Sequence, residues 1–385
     1  MTAHLTEAQQ ILVQRAHEFA EEFLEPIAAE LDRGQVFPKA LIGQLAAQDF
    51  LGLVVPEPSG VAGAGFVSHV EVVQALSRSC PAIASIINNH ALCVYAIAHW
   101  GSAAQKERYL PALIKGEKLG TVAIQEAGPS LGNGPDALLA TRQGGGFNLN
   151  GRKAFVRNAG AADVYLTFAT IQPDAESNGV TGFIVDAGTD GLNVGPRLET
   201  MGLRACPVAD LSFKNVLVTE GSVMGTQNCG SVVATQVLSV SAVAEAAQTV
   251  GIAGAAVSHA ADYARHRVQF RHPIARLQAI QTLLAEIVAD SHMAWLGVQH
   301  AARLIDDDAP FEPEAAMVKM FVGRLGSKML VDAIQIEGGM GICEVVPKHI
   351  GGTLPLARMF RDIAGTTLLD APDDFPDRLI AARIA

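Results

Sequence analysis

The segment GFNLNGRKAFV, residues 146–156, is typical of β structure in a chain whose patterns are otherwise helical. Apolar and aromatic residues are interspersed with polar ones, and Asn150-Gly151 in its middle is a strong signal for a hairpin turn. Neighbouring segments such as ADVYLTFAT, TGFIVDA and ADLSFKNVLV have the same character. Short strands at this spacing, without helices between them, predict a middle domain that is an antiparallel β-barrel or sandwich.

Helical patterns lie on both sides of this β region. Near the N-terminus, Thr6 and Gln9 have the spacing of a capping box, and the apolar residues that follow recur on one helix face. The last third of the chain carries four helical patterns with brief connections, which predict a four-helix bundle. We therefore expect an α+β protein with an N-terminal helical domain (1–118), a middle β domain (119–227) and a C-terminal bundle (228–385).

Composition excludes several classes of function. The chain has 385 residues, 49% of them hydrophobic, and a net charge of −11, which argues against nucleic acid and anionic membranes as partners. Its five cysteines are scattered, and its first residues lack the pattern of a signal peptide, so we expect a reduced, cytoplasmic protein. The apolar stretch SVVATQVLSVSAVAEAAQTVGIAGAAV is interrupted by Gln and Glu, which favours a helix buried among helices over a membrane span.

Several short motifs of catalysis are absent from the sequence. It contains no GxxxxGK[ST], no HExxH and no cysteine pairs with zinc spacing. The glycine-rich GVAGAGF does not lie between a strand and a helix, which argues against a Rossmann site. We expect neither a P-loop nor a metal site.

Five segments, in order along the chain, carry a resemblance to one family. They are GSAAQKERYLPALIKGEKLGTVAIQEAG, LNGRKAFVRNAGAADVYLTFA, RHRVQFRHPIARLQAIQ, EAAMVKMF and AIQIEGGMGI. Together they resemble the acyl-CoA dehydrogenase family, and the resemblance covers essentially the whole chain. It implies the same three-domain architecture, with FAD extended between the β domain and the bundle.

The resemblance assigns FAD-binding roles to individual residues. Arg267 matches the arginine of a neighbouring subunit that meets the FAD pyrophosphate, and Phe270 matches the aromatic residue that packs on the cofactor. A guanidinium fork suits a diphosphate, and glycines let backbone N–H groups approach it. The remaining positions that the resemblance assigns to FAD are Ile124, Gln125, Asn133, Phe155, Arg157, Gln278, Gln335, Gly338 and Gly339.

Arg157 is the main departure from the family pattern in the β domain. It replaces the Thr or Ser whose hydroxyl group bonds to flavin N5 in the family. A cation there would favour anionic reduced flavin or bind an anionic group of the substrate. The alternative is an Arg157 side chain that turns outward to solvent.

The catalytic base is a second departure. The family places a Glu about eight residues after an Arg-Asp pair, and Asp370 has that spacing from Arg361-Asp362. Other members carry the base on the first bundle helix, where Ser241 stands here and Glu245 lies one turn further on the same face. Asp370, Glu245 and the absence of a conventional base remain open. An acid in a helix of small apolar residues must be partnered or functional.

The function that the resemblance implies is α,β-oxidation of an acyl-CoA thioester, in a homotetramer that passes electrons to an acceptor such as an electron-transfer flavoprotein. One alternative is a non-oxidative CoA-thioester lyase or desulfinase on the same fold, in which Arg157 or Arg78 holds the anionic leaving group. Another is a flavin-binding or flavin-free homologue without turnover. The chain also carries about eight extra residues between Gly341 and Pro355.

Overall fold

The computed structural model describes residues 5–61, 63–128, 136–171, 179–348 and 352–368. α1 begins at the predicted capping box: the Thr6 side chain accepts from the Gln9 backbone N–H, and the Gln9 side chain accepts from that of Thr6. The N-terminal helices are α1 (Glu7–Phe19), which continues as a π-helical turn (Ala20–Leu24), α2 (Ala28–Gly34), α3 (Lys39–Ala47), α4 (Phe66–Ser79), α5 (Pro81–Trp100) and α6 (Ala103–Ile114).

The middle of the chain forms an eight-stranded sheet. Its strands are β1 (Gly120–Ala123), β2 (Leu139–Gln143), β3 (Gly146–Arg157), β4 (Val164–Thr170), β5 (Val180–Asp186), β6 (Leu192–Val194), β7 (Val208–Thr219) and β8 (Val223–Met224). They are ordered β6-β7-β3-β2-β4-β5-β8, with β1 beside β4.

This arrangement confirms a middle β domain but corrects two details of the expectation. β1 and β2 run parallel to β4, whereas the remaining pairs are antiparallel. Among the described strands the sheet does not close into a barrel, since the path ends at β6 and β8.

The hairpin predicted at Asn150-Gly151 is wrong. Both residues lie inside β3, and the turn between β2 and β3 is at Gly144 and Gly145, which have φ values of 59° and 78°. Gly151 has a φ of 142°, and the register of β3 against β7 shifts between Leu149 and Gly151. Asn-Gly therefore marks a β-bulge here, a second structure that glycine favours. A Cβ atom at Gly151 would lie 2.3 Å from the Ala137 carbonyl oxygen, so a side chain would collide with the backbone.

In the described part of the chain after the sheet there are four helices, as predicted: α7 (Gly230–His266), α8 (Gln278–Asp306), α9 (Glu312–Glu337) and α10 (Leu356–Leu368). A short hairpin of β9 (Val268–Gln269) and β10 (His272–Pro273) connects α7 to α8. Ion pairs Glu245–Lys319 and His259–Glu337 join α7 to α9 at two levels, so these helices run parallel.

α5 and α7 are long and apolar enough to cross a membrane by composition alone, but their apolar windows are 100% and 83% buried inside the fold. α7 packs against α4 and α5 and also against α8, α9 and α10. It is therefore a core helix shared by the N-terminal helices and the bundle, as its interrupted apolar sequence predicted. The sheet has its own apolar core.

Candidate functional site

A crevice lies where the edge of the sheet faces α5 and α7, and we refer to it as the central crevice. The loop after β1 and the end of β3 form one wall, and α5 and α7 form the other. The residues that line it include Ile124, Gln125, Phe155, Arg157, Asn89 and Ser241. Ile124, Gln125, Phe155 and Arg157, which the resemblance assigns to FAD, are thus adjacent to one another. They face α7, the helix that carries Glu245, the alternative candidate for the base.

The sheet-side wall is fixed by a buried ion pair. Lys153 Nζ lies 2.6 Å from Glu126 Oε1, with the two side chains 0% and 2% exposed. Lys153 also donates to the Ile124 carbonyl oxygen at 3.0 Å, and the Leu138 backbone N–H donates to Glu126 at 3.1 Å. Burial lowers the pKa of Lys153 to about 8, while Glu126 opposes this shift. These bonds attach the loop after β1 to β3 and hold Ile124 and Gln125 in place.

A second irregularity of β3 turns Phe155 toward the crevice. The register against β7 shifts between Lys153 and Val156, and Phe155 has a φ of 52°, a conformation that few residues other than glycine adopt. The Phe155 N–H donates to Asp210 Oδ1 at 3.1 Å, which replaces the lost sheet bond. The ring remains 47% exposed, so an aromatic surface is available at the crevice.

Arg157 does not turn outward to solvent, so that alternative is wrong. Its side chain is 2% exposed and reaches three helices. Its guanidinium lies 2.8 Å from Glu245 Oε1 on α7 and donates to the Gly365 carbonyl oxygen on α10 at 3.1 Å. It also approaches Ser85 Oγ on α5 at 3.4 Å.

Glu245 joins Arg157 to a second cation. Its carboxylate, 1% exposed, pairs through Oε1 with Arg157 and through Oε2 with Lys319, whose side chain is 11% exposed. Lys319 also donates to the Thr366 carbonyl oxygen on α10. We call Arg157, Glu245 and Lys319 the buried ion triad. Glu245 therefore lies between two cations in a buried site.

Sequence reasoning missed Lys319, although a signal existed. Lys319 is the one charged residue in AAMVKMFV (315–322), so it is conspicuous in an apolar run of a predicted helix. A lone charge in such a run requires a buried partner or a ligand. The same reasoning predicts that Glu245 is partnered or functional, and Glu245 is indeed partnered.

The other FAD positions lie at the far end of the bundle. The 26 residues from Ser241 to Arg267 correspond to about 39 Å of helix at 1.5 Å per residue. Because α9 runs parallel to α7, its end at Glu337 lies toward the same far end. The positions found there are Arg267 after α7, Phe270 in the β9–β10 hairpin, Gln278 at the start of α8, and Gln335, Gly338 and Gly339 at the end of α9.

The residues at the crevice and those at the far end of the bundle suit the two ends of an FAD molecule. Phe270 is 83% exposed at the tip of the hairpin, and Cβ atoms built at Gly338 and Gly339 would meet nothing within 4 Å, so a ligand can approach that backbone closely. The hairpin and the crevice are thus separated by about 39 Å of helix along α7. Asn133 and Asp370 lie outside the described residues.

Arg78 lies in a different cavity. That cavity is enclosed by α1, α2, the end of α4, α7 and the segment before α10, and it includes Glu344 and Thr353 from the extra residues noted above. There Arg78 donates to Ser258 Oγ at 3.2 Å, and burial lowers its pKa. The structure therefore separates Arg78 from the central crevice.

Comparison with known proteins agrees with this architecture. The N-terminal, middle and C-terminal domain models of acyl-CoA dehydrogenases match residues 6–117, 125–216 and 228–385. An acyl-CoA dehydrogenase of Bacillus subtilis is 34% identical over 99% of this chain and 98% of its own length. An acryloyl-CoA reductase (NADH) of Anaerotignum propionicum is 33% identical, covering 100% and 96%.

The solved structures give the same result. The butyryl-CoA dehydrogenase of Megasphaera elsdenii superposes with a TM-score of 0.93 at 30% identity, and 99% of each chain is covered. Domain models that together match most of the chain, and relatives that match its full length, fix the assignment. The chain belongs to the acyl-CoA dehydrogenase family of FAD-dependent oxidoreductases that act on CH–CH groups.

Proposed function

We propose that the protein oxidises an acyl-CoA thioester between its α and β carbons. When bound, FAD supplies the hydride acceptor. The observation that carries the proposal is the central crevice, where Ile124, Gln125 and Phe155 face α5 and α7. Relatives named for acyl-CoA oxidation match the full chain.

Asp370 is our candidate for the base that removes the α-proton. The described part of α10 ends beside the central crevice, since Gly365 and Thr366 accept bonds from Arg157 and Lys319. Asp370 follows in sequence within five residues of these contacts. Glu245 is the alternative, but it already bridges two cations.

The variant Asp370→Asn tests this assignment. Asparagine keeps the size of the side chain but accepts no proton, so we expect FAD to stay bound while anaerobic bleaching of the flavin by acyl-CoA falls by about a hundredfold or more. The exposed Asp262 on α7 provides a control, Asp262→Asn, which we expect to bleach at the wild-type rate. Wild-type bleaching by Asp370→Asn would remove Asp370 from the mechanism.

A non-oxidative lyase is the second candidate, and the buried Arg157 favours it, since a guanidinium beside the crevice suits an anionic leaving group. Arg78 drops out of this role because it lines another cavity. Anaerobic mixing of the purified yellow protein with a panel of acyl-CoA and sulfinated acyl-CoA thioesters separates the two reactions. Flavin bleaching supports the dehydrogenase, and sulfite release with oxidised flavin supports the lyase. A colourless protein that cannot be reconstituted with FAD contradicts both.

We further propose a homotetramer that works in the cytoplasm and passes electrons to an electron-transfer flavoprotein. The distance between the hairpin and the crevice supports self-association. So do the apolar side chains exposed on α8 and α9, which are Val288, Met293, Leu296, Met317, Phe321 and Val331. Light scattering after size-exclusion chromatography tests the assembly, and a monomer with bound FAD would contradict it.

A further inference from the structure

We propose that Arg157 determines substrate specificity by closing the inner end of the central crevice, so that the site takes only short acyl groups. The inference rests on the proposed function and adds to it the class of acyl group that fits. It depends on where Arg157 lies between the helices that form the crevice.

The crevice ends at the same level on both helices. On α7, Ser241 lines the crevice, whereas Glu245, four residues further, contacts Arg157 instead. On α5, Asn89 lines the crevice, whereas Ser85, four residues earlier, contacts Arg157. Four residues span about 6 Å of helix and leave both side chains on one face. Arg157 thus lies across the gap between α5 and α7, one turn beyond the last lining residues.

α10 supports this wall from behind. Arg157 donates to the Gly365 carbonyl oxygen at 3.1 Å, and Lys319, which shares Glu245 with Arg157, donates to that of Thr366. To make room for a longer chain, the guanidinium would have to leave a carboxylate that is 1% exposed. Uncoupling a buried ion pair is strongly unfavourable. The wall is therefore rigid and does not behave as a flexible side chain.

The chemistry of the wall also opposes a longer chain. A methylene group gains affinity when it leaves water for an apolar surface, by about fourfold per group. Against a guanidinium and a carboxylate it would gain little and would disturb their bonds. Affinity should rise with chain length only until the acyl group reaches Arg157.

The test measures binding of unreactive S-alkyl thioethers of coenzyme A, from ethyl to octyl, to the oxidised FAD-loaded protein by calorimetry. We expect wild-type affinity to stop rising within this series. In Arg157→Ala, which removes the wall, we expect about fourfold gain per methylene to continue through octyl. In Arg157→Met, which removes the charge but keeps most of the bulk, we expect a limit similar to that of the wild type.

Arg142→Met is the matched control, because Arg142 lies on the neighbouring strand β2 with a side chain 59% exposed and should leave the series unchanged. A wild-type affinity that keeps rising fourfold per methylene through octyl would overturn the proposal. So would an Arg157→Ala series identical to that of the wild type. If Arg157→Ala does not retain FAD, Arg157→Thr, which also shortens the side chain and leaves Glu245 paired with Lys319, must show the same gain.

Failure of the proposed function can be distinguished from failure of the wall at Arg157, because the two are measured by different assays. Flavin bleaching by butyryl-CoA tests the reaction, whereas the thioethers cannot be oxidised and report only on the shape of the site. Binding without a length limit contradicts the wall alone. A protein that binds none of the thioethers contradicts both proposals.

Discussion

Glu245→Gln is the substitution that perturbs the structure most selectively. Glutamine has nearly the shape of glutamate, so packing on α7 is preserved while the negative charge disappears. Arg157 and Lys319 then remain as two cations that the lost carboxylate had held together, with side chains only 2% and 11% exposed. We therefore expect a large loss of stability although only one carboxylate oxygen is replaced by an amide nitrogen.

The size of the loss follows from the burial of the triad. Removing one partner of a buried ion pair costs about 3–5 kcal/mol, because the remaining charge is left without compensation. Each cation keeps a backbone carbonyl group on α10, and the glutamine oxygen can still accept one hydrogen bond. These contacts place the expected value at the lower end, about 3 kcal/mol, which is more than a hundredfold in the folding equilibrium.

The assay is urea denaturation of the FAD-loaded protein, followed by circular dichroism of the backbone. Glu220→Gln serves as the control, since Glu220 pairs with Arg142 at 2.7 Å but both side chains are more than half exposed. An exposed pair contributes about 0–1 kcal/mol, so the control should resemble the wild type. A Glu245→Gln protein as stable as the control would refute the role of the triad in stability.

The same variant reports on catalysis. If Glu245 only bridges the two cations, the folded fraction of Glu245→Gln still bleaches flavin with butyryl-CoA, and Asp370→Asn does not. Complete loss of bleaching in folded, FAD-bound Glu245→Gln would instead identify Glu245 as the base.

Three further predictions concern other parts of the molecule. Arg267→Met should weaken FAD binding by tenfold or more, measured by equilibrium dialysis, because the diphosphate loses a charge-assisted partner; unchanged affinity would contradict its role. Asp306→Ala should lower stability by about 1–2 kcal/mol in urea, since its carboxylate accepts from the first two backbone N–H groups of α4; a loss below about 0.3 kcal/mol would contradict this. The hydrogen bond from Glu337 raises the pKa of His259. The protonated imidazole therefore stabilises the fold fully below the ordinary histidine pKa of 6.5, and this stabilisation is lost as pH rises through the pKa in the folded state. In His259→Gln this pH dependence of the urea midpoint should disappear. The difference from the wild type should be small, because His259 is 43% exposed.

Local signals predicted local structure well. The capping box at Thr6 and Gln9 is formed as predicted, because both partners lie within one helical turn. Asn150-Gly151 misled because the same dipeptide serves a turn or a bulge, and only the pairing of β3 with β7 distinguishes them. That pairing joins residues more than fifty positions apart, which the local sequence does not contain.

In the central crevice, too, some features could be predicted from the sequence and others depend on residues that are distant in the chain. The positions of Ile124, Gln125 and Phe155 could be predicted from the family resemblance, which predicts shared backbone geometry. The direction of the Arg157 side chain could not, since it is decided by Ser85, Glu245 and Gly365, which three separate helices contribute. Glu245 and Lys319 were each visible as lone charges in apolar runs, but nothing in the sequence paired them.

The separation between the hairpin and the crevice also matters for genetics. If each flavin is held by two polypeptides, a copy with a damaged Arg267 spoils the neighbour's reaction and leaves its own intact, and a copy with a damaged Asp370 does the reverse. Co-expression of the two mutant genes would then restore part of the lost turnover by complementation, whereas either allele alone would be dead. A single defective allele would likewise interfere with a healthy one in mixed assemblies.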